Sequence, residues 1–167
     1  MPTDRPTAPA VRPFAPQDLP QMTALWNDVV AAGCYFPQEV PLAAAEAGDF
    51  FAAQSFTGVA ELNGRVVGLY ILHPNGIGHC AVTANASYAV DAGCRGQHLG
   101  ELLVRHSLQK ARELGFVGLQ FNAVVCTNAP AIALYKKLGF TQLGTCKNGY
   151  RLDDGRCVDL LLFHHPL

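Results

Sequence analysis

The stretch Val90-Asp91-Ala92-Gly93-Cys94-Arg95-Gly96-Gln97-His98-Leu99-Gly100 has the residue types and spacing to hold an anion. An extended segment ends where it begins, and an amphipathic helix opens where it ends. The first turn of a helix has four main-chain N–H groups without partners and lies at the positive end of the helix dipole. Gly96 and Gly100 let a ligand approach the backbone closely, and Arg95 adds positive charge. The combination suits a phosphate or pyrophosphate, and hence a nucleotide-type cofactor. It is neither the G-x-G-x-x-G of a dinucleotide-binding fold nor a loop ending in G-K-S/T. What stands here is R-G-x-x-x-G after a strand.

Two amides draw notice next. Asn85 and Asn122 lie in otherwise apolar strand-like segments, and a buried amide must be hydrogen-bonded. They serve either strand pairing and turn locking or a ligand. The six cysteines, at 34, 80, 94, 126, 146 and 157, include no C-x-x-C pair and match no zinc spacing. No metal is expected, and the thiols read as free groups in a reducing cytoplasm.

Several elements must position these residues. Val11–Phe14 reads as a first strand, and Pro16-Gln17-Asp18 starts a helix through Ala32, with Met22, Leu25, Trp26, Val29 and Val30 at helical spacing. Pro41 opens a second helix, Leu42 to about Phe51. Phe56–Leu62 and Val66–Leu72 form a hairpin around Asn63-Gly64, a pair suited to a type I′ turn. Cys80–Val90 is the strand before the anion turn, and His98–Leu114 is the helix after it, closed by Gly115. Val117–Val125 is an apolar strand. Asn128 caps a helix that runs to Leu138 and stops at Gly139. Phe140–Cys146 and Cys157–His164 are the last strands, with turns expected at Lys147-Asn148-Gly149 and Asp153-Asp154-Gly155.

The order β-α-α-β-β-β-α-β-α-β-β predicts an α/β (α+β) fold: a mixed, mostly antiparallel sheet with one central parallel β-α-β crossover. A ligand belongs where the two parallel strands diverge at their carboxyl ends. The 167 residues fit one domain, 10–167, after a loose tail over 1–9. Twelve Lys and Arg against 13 Asp and Glu argue against a nucleic-acid partner. No apolar run approaches a membrane span, and the first residues have no apolar core of a signal peptide, so a cytoplasmic protein without a membrane partner is expected.

Arg95-Gly96-Gln97-His98-Leu99-Gly100 resembles the acetyl-CoA pyrophosphate loop of the GNAT superfamily of N-acetyltransferases, R/Q-x-x-G-x-G/A. Downstream, Asn128-Ala129-Pro130-Ala131-Ile132-Ala133-Leu134-Tyr135-Lys136-Lys137-Leu138-Gly139-Phe140 is similar to that family's N-x-x-A-x-x-L-Y-x-K-x-G-F signature. The loop alone is a weak motif; both motifs in this order, a crossover strand apart, are specific. The resemblance spans roughly residues 11–165 and agrees with the strand order. It implies acetyl-CoA as co-substrate, bound by the main chain of Gln97 to Gly100 (including His98 and Leu99), with Gly96 in the turn and Arg95 beside it. Main-chain groups near Tyr88 and Val90 would pair with the pantetheine arm as an added strand does. Asn128 would bond the pantetheine, and Tyr135 would stand near the sulfur as general acid. His98 departs from the family's usual middle Gly; a Cβ is tolerated there if residue 98 already has helical φ/ψ, and an imidazole could assist an anion.

Many relatives have a Glu on the strand placed here at 80–90, which contains no acid. Either water relays the amine's proton, or the amine is acidic enough to need little help, as an α-amine (about 7.7–8) is relative to lysine (about 10.4). His79 is a candidate base or an exposed loop residue, and Asp91 reads as a turn residue. Arg151 either reaches an anionic substrate or is a solvated loop charge. The segments around Asn85 and Asn122 also look like a GNAT branch that includes fungal proline-analogue acetyltransferases. By that similarity both amides would face the acceptor pocket and bind a small amino acid's carboxylate. The expected activity is acetyl transfer to a small-molecule amine. A non-catalytic acyl-CoA-binding module and a peptide N-terminal acetyltransferase are the alternatives. Domains of this kind pair through sheet edges, so a homodimer is a further expectation of the resemblance.

Overall fold

A computed structural model describes residues 8–167; of the tail expected over 1–9, residues 1–7 lie outside the described residues. Among the described residues, seven strands form one sheet: β1 (Ala10–Pro13), β2 (Phe56–Leu62), β3 (Arg65–Pro74), β4 (Thr83–Val90), β5 (Gly118–Val125), β6 (Thr141–Arg151) and β7 (Cys157–Pro166). The helices are α1 (Leu19–Ala31), α2 (Ala44–Ala52), α3 (Leu99–Glu113) and α4 (Ala129–Lys137). The spatial order is β1-β2-β3-β4-β5-β7-β6. Every neighbouring pair is antiparallel except β4 and β5. The mixed sheet with its central crossover is therefore as expected. No helix of the described residues is long and apolar enough to cross a membrane.

The sheet is covered on both faces. Successive residues of a strand point to opposite sides, and β3 shows the result. Tyr70 and Leu72 join α3 through Leu99, Leu103, Val104 and Leu108. Leu69 and Ile71 join α1 and α2 through Met22, Trp26, Val30 and Phe51. Val66 through Leu72, Gly68 included, are all buried, which is why this strand reads as a continuous apolar run instead of alternating.

Three expectations need correction. The first helix is split: a 3-10 turn at Pro16–Asp18 precedes α1, because Asp18 turns back to accept from the Ala15 N–H at 2.8 Å and from Arg12 at 2.7 Å. β4 starts at Thr83, not Cys80, because Gly78–Cys80 forms a 3-10 turn. Lys147-Asn148-Gly149 is not a turn between strands but a bulge within β6. There the register slips between Cys146 and Tyr150, and Asn148 has φ +53°. Asp159 on β7 holds the bulge in place, accepting from the Asn148 N–H at 2.9 Å and from Lys147 Nζ at 2.8 Å. The turns at Asn63-Gly64, both with positive φ, and at Asp153–Gly155 are as expected.

β4 and β5 position the site. They pair at Thr83–Gly118 and Ala84–Leu119 and then part. Beyond residue 84 the edge of β4 that faces β5 has no strand beside it. β5 turns away through a bulge between Phe121 and Val124, which presents Asn122 and Ala123.

Candidate active site

The gap between the parted strands opens into a cavity of about 1240 Å³. It runs through the sheet, from the anion turn and α4 on one side to α1, α2 and the loop after α1 on the other.

The anion turn is built from its main chain. Asp91 accepts from the Gly93 N–H at 2.8 Å, starting a 3-10 turn over Ala92–Cys94, and it also pairs with Arg65. This is the turn role expected of Asp91. Gly96 has φ +80°, with open space where a Cβ would stand. Leu99 is 2% exposed and anchors the helix start in the core. No main-chain carbonyl or side chain among the described residues accepts from the amides of Arg95 through Glu101. An uncompensated run of N–H groups at a helix N-terminus, next to Arg95, is the site an anion requires. Arg95, Gly96, His98, Leu99 and Gly100 line the cavity; Gln97 does not.

His98 does not have helical φ/ψ. It caps α3 in the left-handed region, at φ 57° and ψ 22°. Residue 98 therefore needs a left-handed backbone, which glycine takes freely and His98 takes under strain.

On β4, Val90 and Tyr88 both line the cavity. The Tyr88 ring faces α3, its hydroxyl 2.7 Å from Ser107 Oγ, and burial pushes its pKa well above the usual phenol value. Tyr88 thus has its main chain to offer a ligand, its phenol being engaged.

Asn128 starts α4 as its N-cap, Oδ1 accepting from the Ala131 N–H at 3.4 Å, which leaves its Nδ2 for the cavity it lines. Tyr135 lies in an aromatic nest, with ring centroids 4.5 Å from Phe121, 5.5 Å from Phe140 and 5.8 Å from Phe163. Gly139 sets this nest. At φ +89° it ends α4 with a Schellman pair, Gly139 N–H to Lys136 O at 3.1 Å and Phe140 N–H to Tyr135 O at 3.0 Å, and turns Phe140 back onto Phe121. Burial in the nest raises the Tyr135 pKa far enough to keep the phenol protonated at any physiological pH.

At the point where the strands part, Asn85 and Asn122 come together through a residue the sequence did not single out. Asn75 Oδ1 accepts from Asn85 Nδ2 at 3.2 Å and from Asn122 Nδ2 at 2.6 Å. Gln120 Nε2 donates to Asn122 Oδ1 at 3.0 Å. Asn75 sits in the loop after β3, its N–H bonded to Thr83 O at 2.7 Å. The only local signal for it was a loop rich in Gly and Pro. His79, by contrast, is exposed on the Gly78–Cys80 turn and lies outside the cavity lining, whereas His73 lies within it.

Tyr35, Phe36 and Phe50 form an aromatic wall on the α1/α2 side. The β6–β7 hairpin fastens it: Tyr150 donates to Phe36 O at 2.7 Å, and Arg151 pairs with Glu39 at 3.0 Å. Arg151 therefore serves a loop contact. All six cysteines are free thiols.

Residues 22–140 match the model of the acetyltransferase (GNAT) family. A solved GCN5-related N-acetyltransferase from Kribbella flavida is 32% identical, with a TM-score of 0.89 over 96% of this chain and 98% of that one. N-acetyltransferase aca1 of Schizosaccharomyces pombe is 26% identical over 80% of this chain and 72% of its own length. A Bacillus subtilis protein provisionally named phosphinothricin acetyltransferase YwnH is 26% identical over 90% of this chain and 94% of its own length. With its two motifs meeting at parted parallel strands, this chain belongs to the GNAT family of N-acetyltransferases.

Proposed function

We propose that the chain transfers the acetyl group of acetyl-CoA to the amine of a small molecule that also bears a carboxylate, an amino acid or an analogue of one, by direct attack with both substrates bound. One observation carries this reading. A single cavity connects the anion turn, whose main-chain amides are free, to Asn85 and Asn122, the two amides that Asn75 holds together, through the gap between β4 and β5. The residues fit acetyl-CoA. The amide run suits its pyrophosphate, the unpaired edge of β4 suits the pantetheine amides, and Asn128 Nδ2 is free for a pantetheine carbonyl. The B. subtilis relative, provisionally named for acetylation of phosphinothricin, supports a small acceptor.

Acetyl-CoA supplies an activated thioester when bound. The protein contributes position and protons. Amide N–H groups of Asn85 and Asn122 hold the acceptor's carboxylate, so that its amine enters from the α1/α2 side. A main-chain N–H on the free edge of β4 donates to the carbonyl oxygen as negative charge grows there. Tyr135 donates its phenolic proton to the departing sulfur and is resupplied from the nitrogen that becomes the amide. The same apolar nest that disfavours tyrosinate also disfavours a thiolate, whose free pKa is about 8.5, so the sulfur leaves as a neutral thiol. The aromatic wall favours an acceptor with an apolar body, and its few charges suit neither a basic peptide nor a polyamine.

The test is thiol release from acetyl-CoA with a panel of free amino acids, proline analogues, decarboxylated counterparts and short peptides. Turnover is expected with one or more carboxylate-bearing amines and a sharp loss with their decarboxylated counterparts. Turnover confined to peptides, or indifference to the carboxylate, would overturn the reading.

A further inference from the structure

At neutral pH an amine arrives largely as an ammonium ion and must lose a proton before it can attack. β4 has no acid to take it. Of the carboxylates and imidazoles among the described residues that line the cavity, Glu101 is committed at the start of α3 to Lys137 at 2.6 Å and Arg105 at 2.8 Å, and His98 sits in the anion turn. His73 is the one on the acceptor side. On the acetyl-transfer reading above, we propose that His73 is the base that accepts the proton of the incoming ammonium.

The geometry supports this in three ways. His73 pairs with Asn85 across β3 and β4, which puts their Cβ atoms about 5 Å apart on one face of the sheet. Asn85 belongs to the amide cluster assigned to the acceptor's carboxylate, and in an α-amino acid the amine is two bonds from that group. His73 is half-buried and lines the cavity. Its tautomer is also fixed. Nδ1 lies 2.9 Å from the main-chain carbonyl oxygen of Pro74, an atom that only accepts, so Nδ1 carries the hydrogen and the neutral ring keeps its lone pair on Nε2. That nitrogen makes no hydrogen bond among the described residues.

In the resulting sequence, Nε2 takes one proton from the ammonium, and the nitrogen's freed electron pair forms the C–N bond. The C–S bond breaks, and its electrons leave with sulfur. The second nitrogen proton is exchanged through Tyr135, so that the thiol leaves neutral. The imidazolium returns its proton to solvent, matching the one proton that overall amide formation from an ammonium releases.

The experiment compares wild type with His73→Gln, which keeps a polar side chain but cannot take a proton, and His73→Ala, which leaves room for added imidazole. The best acceptor from the amine panel is used. For His73→Gln, kcat is expected to fall about 100-fold, with the Kd for acetyl-CoA and the acceptor KM within twofold of wild type. Added imidazole is expected to restore His73→Ala in proportion to its concentration. The proposal is overturned if His73→Gln retains kcat within threefold, if only the acceptor KM changes, or if imidazole does not rescue a His73→Ala protein whose acetyl-CoA Kd is that of wild type. A wild type that binds acetyl-CoA but acetylates no amine would overturn the functional reading itself, and this proposal with it.

Discussion

Replacing His98 with glycine should stabilise the protein. His98 holds φ 57° and ψ 22° at the cap of α3, where an L side chain costs roughly 1–2 kcal/mol in contact between Cβ and the following carbonyl. Its side chain is exposed and makes no hydrogen bond among the described residues, so little packing is lost on removal. Against the relief stands the extra freedom glycine gives the unfolded chain, about 0.4–1 kcal/mol. The net gain is about 0.5–1 kcal/mol, which for a chain of this size raises Tm by about 1–4 °C. His98→Ala is the control: it keeps the Cβ and the strain, and it should melt at or below wild type. Thermal unfolding of the three proteins, with urea midpoints as a check, should give Gly above His, and His at or above Ala. A His98→Gly protein that melts lower than wild type would refute the strain argument and show that the imidazole stabilises the turn more than its backbone conformation costs.

Tyr135→Phe should lower kcat by at least about 100-fold, with acetyl-CoA affinity unchanged by calorimetry; the raised pKa predicts no loss of wild-type activity from phenol ionisation up to pH 9. Tyr150→Phe removes the donor to Phe36 O, a bond worth about 1 kcal/mol, and should raise the acceptor KM about fivefold without changing the Kd for acetyl-CoA. Asp18→Asn should cost about 2 kcal/mol in urea unfolding, since it leaves Arg12 without its buried partner, only 4% exposed. The hydrogen bond from Arg12 holds the Asp18 carboxyl below its ordinary pKa against the opposing pull of burial. Its stabilisation is therefore complete above the unfolded pKa of about 3.9 and disappears as pH falls through the lower folded value, a loss that a stability–pH series should show in wild type and not in Asp18→Asn.

The fold was legible where local chemistry decides structure. Asn63-Gly64 can take two positive φ angles in succession, and Gly115 and Gly139 end helices because their neighbours' carbonyls need a left-handed residue to reach them. The apolar spacing of α1 and α3 matches the faces they bury. Reading failed where a distant side chain overrides local preference. Lys147-Asn148-Gly149 has the composition of a turn, but Asp159 on the neighbouring strand satisfies its donors and keeps it within β6. Pro16 starts a 3-10 turn before any α-helix, because Asp18 is drawn back to Arg12 and Ala15.

The same distinction divides the site. The anion turn and the Asn128–Phe140 stretch are contiguous, because a helix start and a helix end can each be written in one short segment, and both were legible. The acceptor side has no such segment. Asn75, Asn85 and Asn122 come from three elements up to 47 positions apart, and they meet because β4 and β5 pair at two positions and then separate. Neither His73 nor His79 has a sequence feature that ranks it above the other. They lie six positions apart, and register chooses: His73, on β3, falls opposite Asn85 on β4, whereas the 3-10 turn at Gly78–Cys80 places His79 in solvent. Substitution should show the same asymmetry. His79→Gln, six residues along, should leave kcat at the wild-type value, while His73→Gln removes most of it; equal losses at both positions would mean that the position of the strand pairing does not select the proton acceptor.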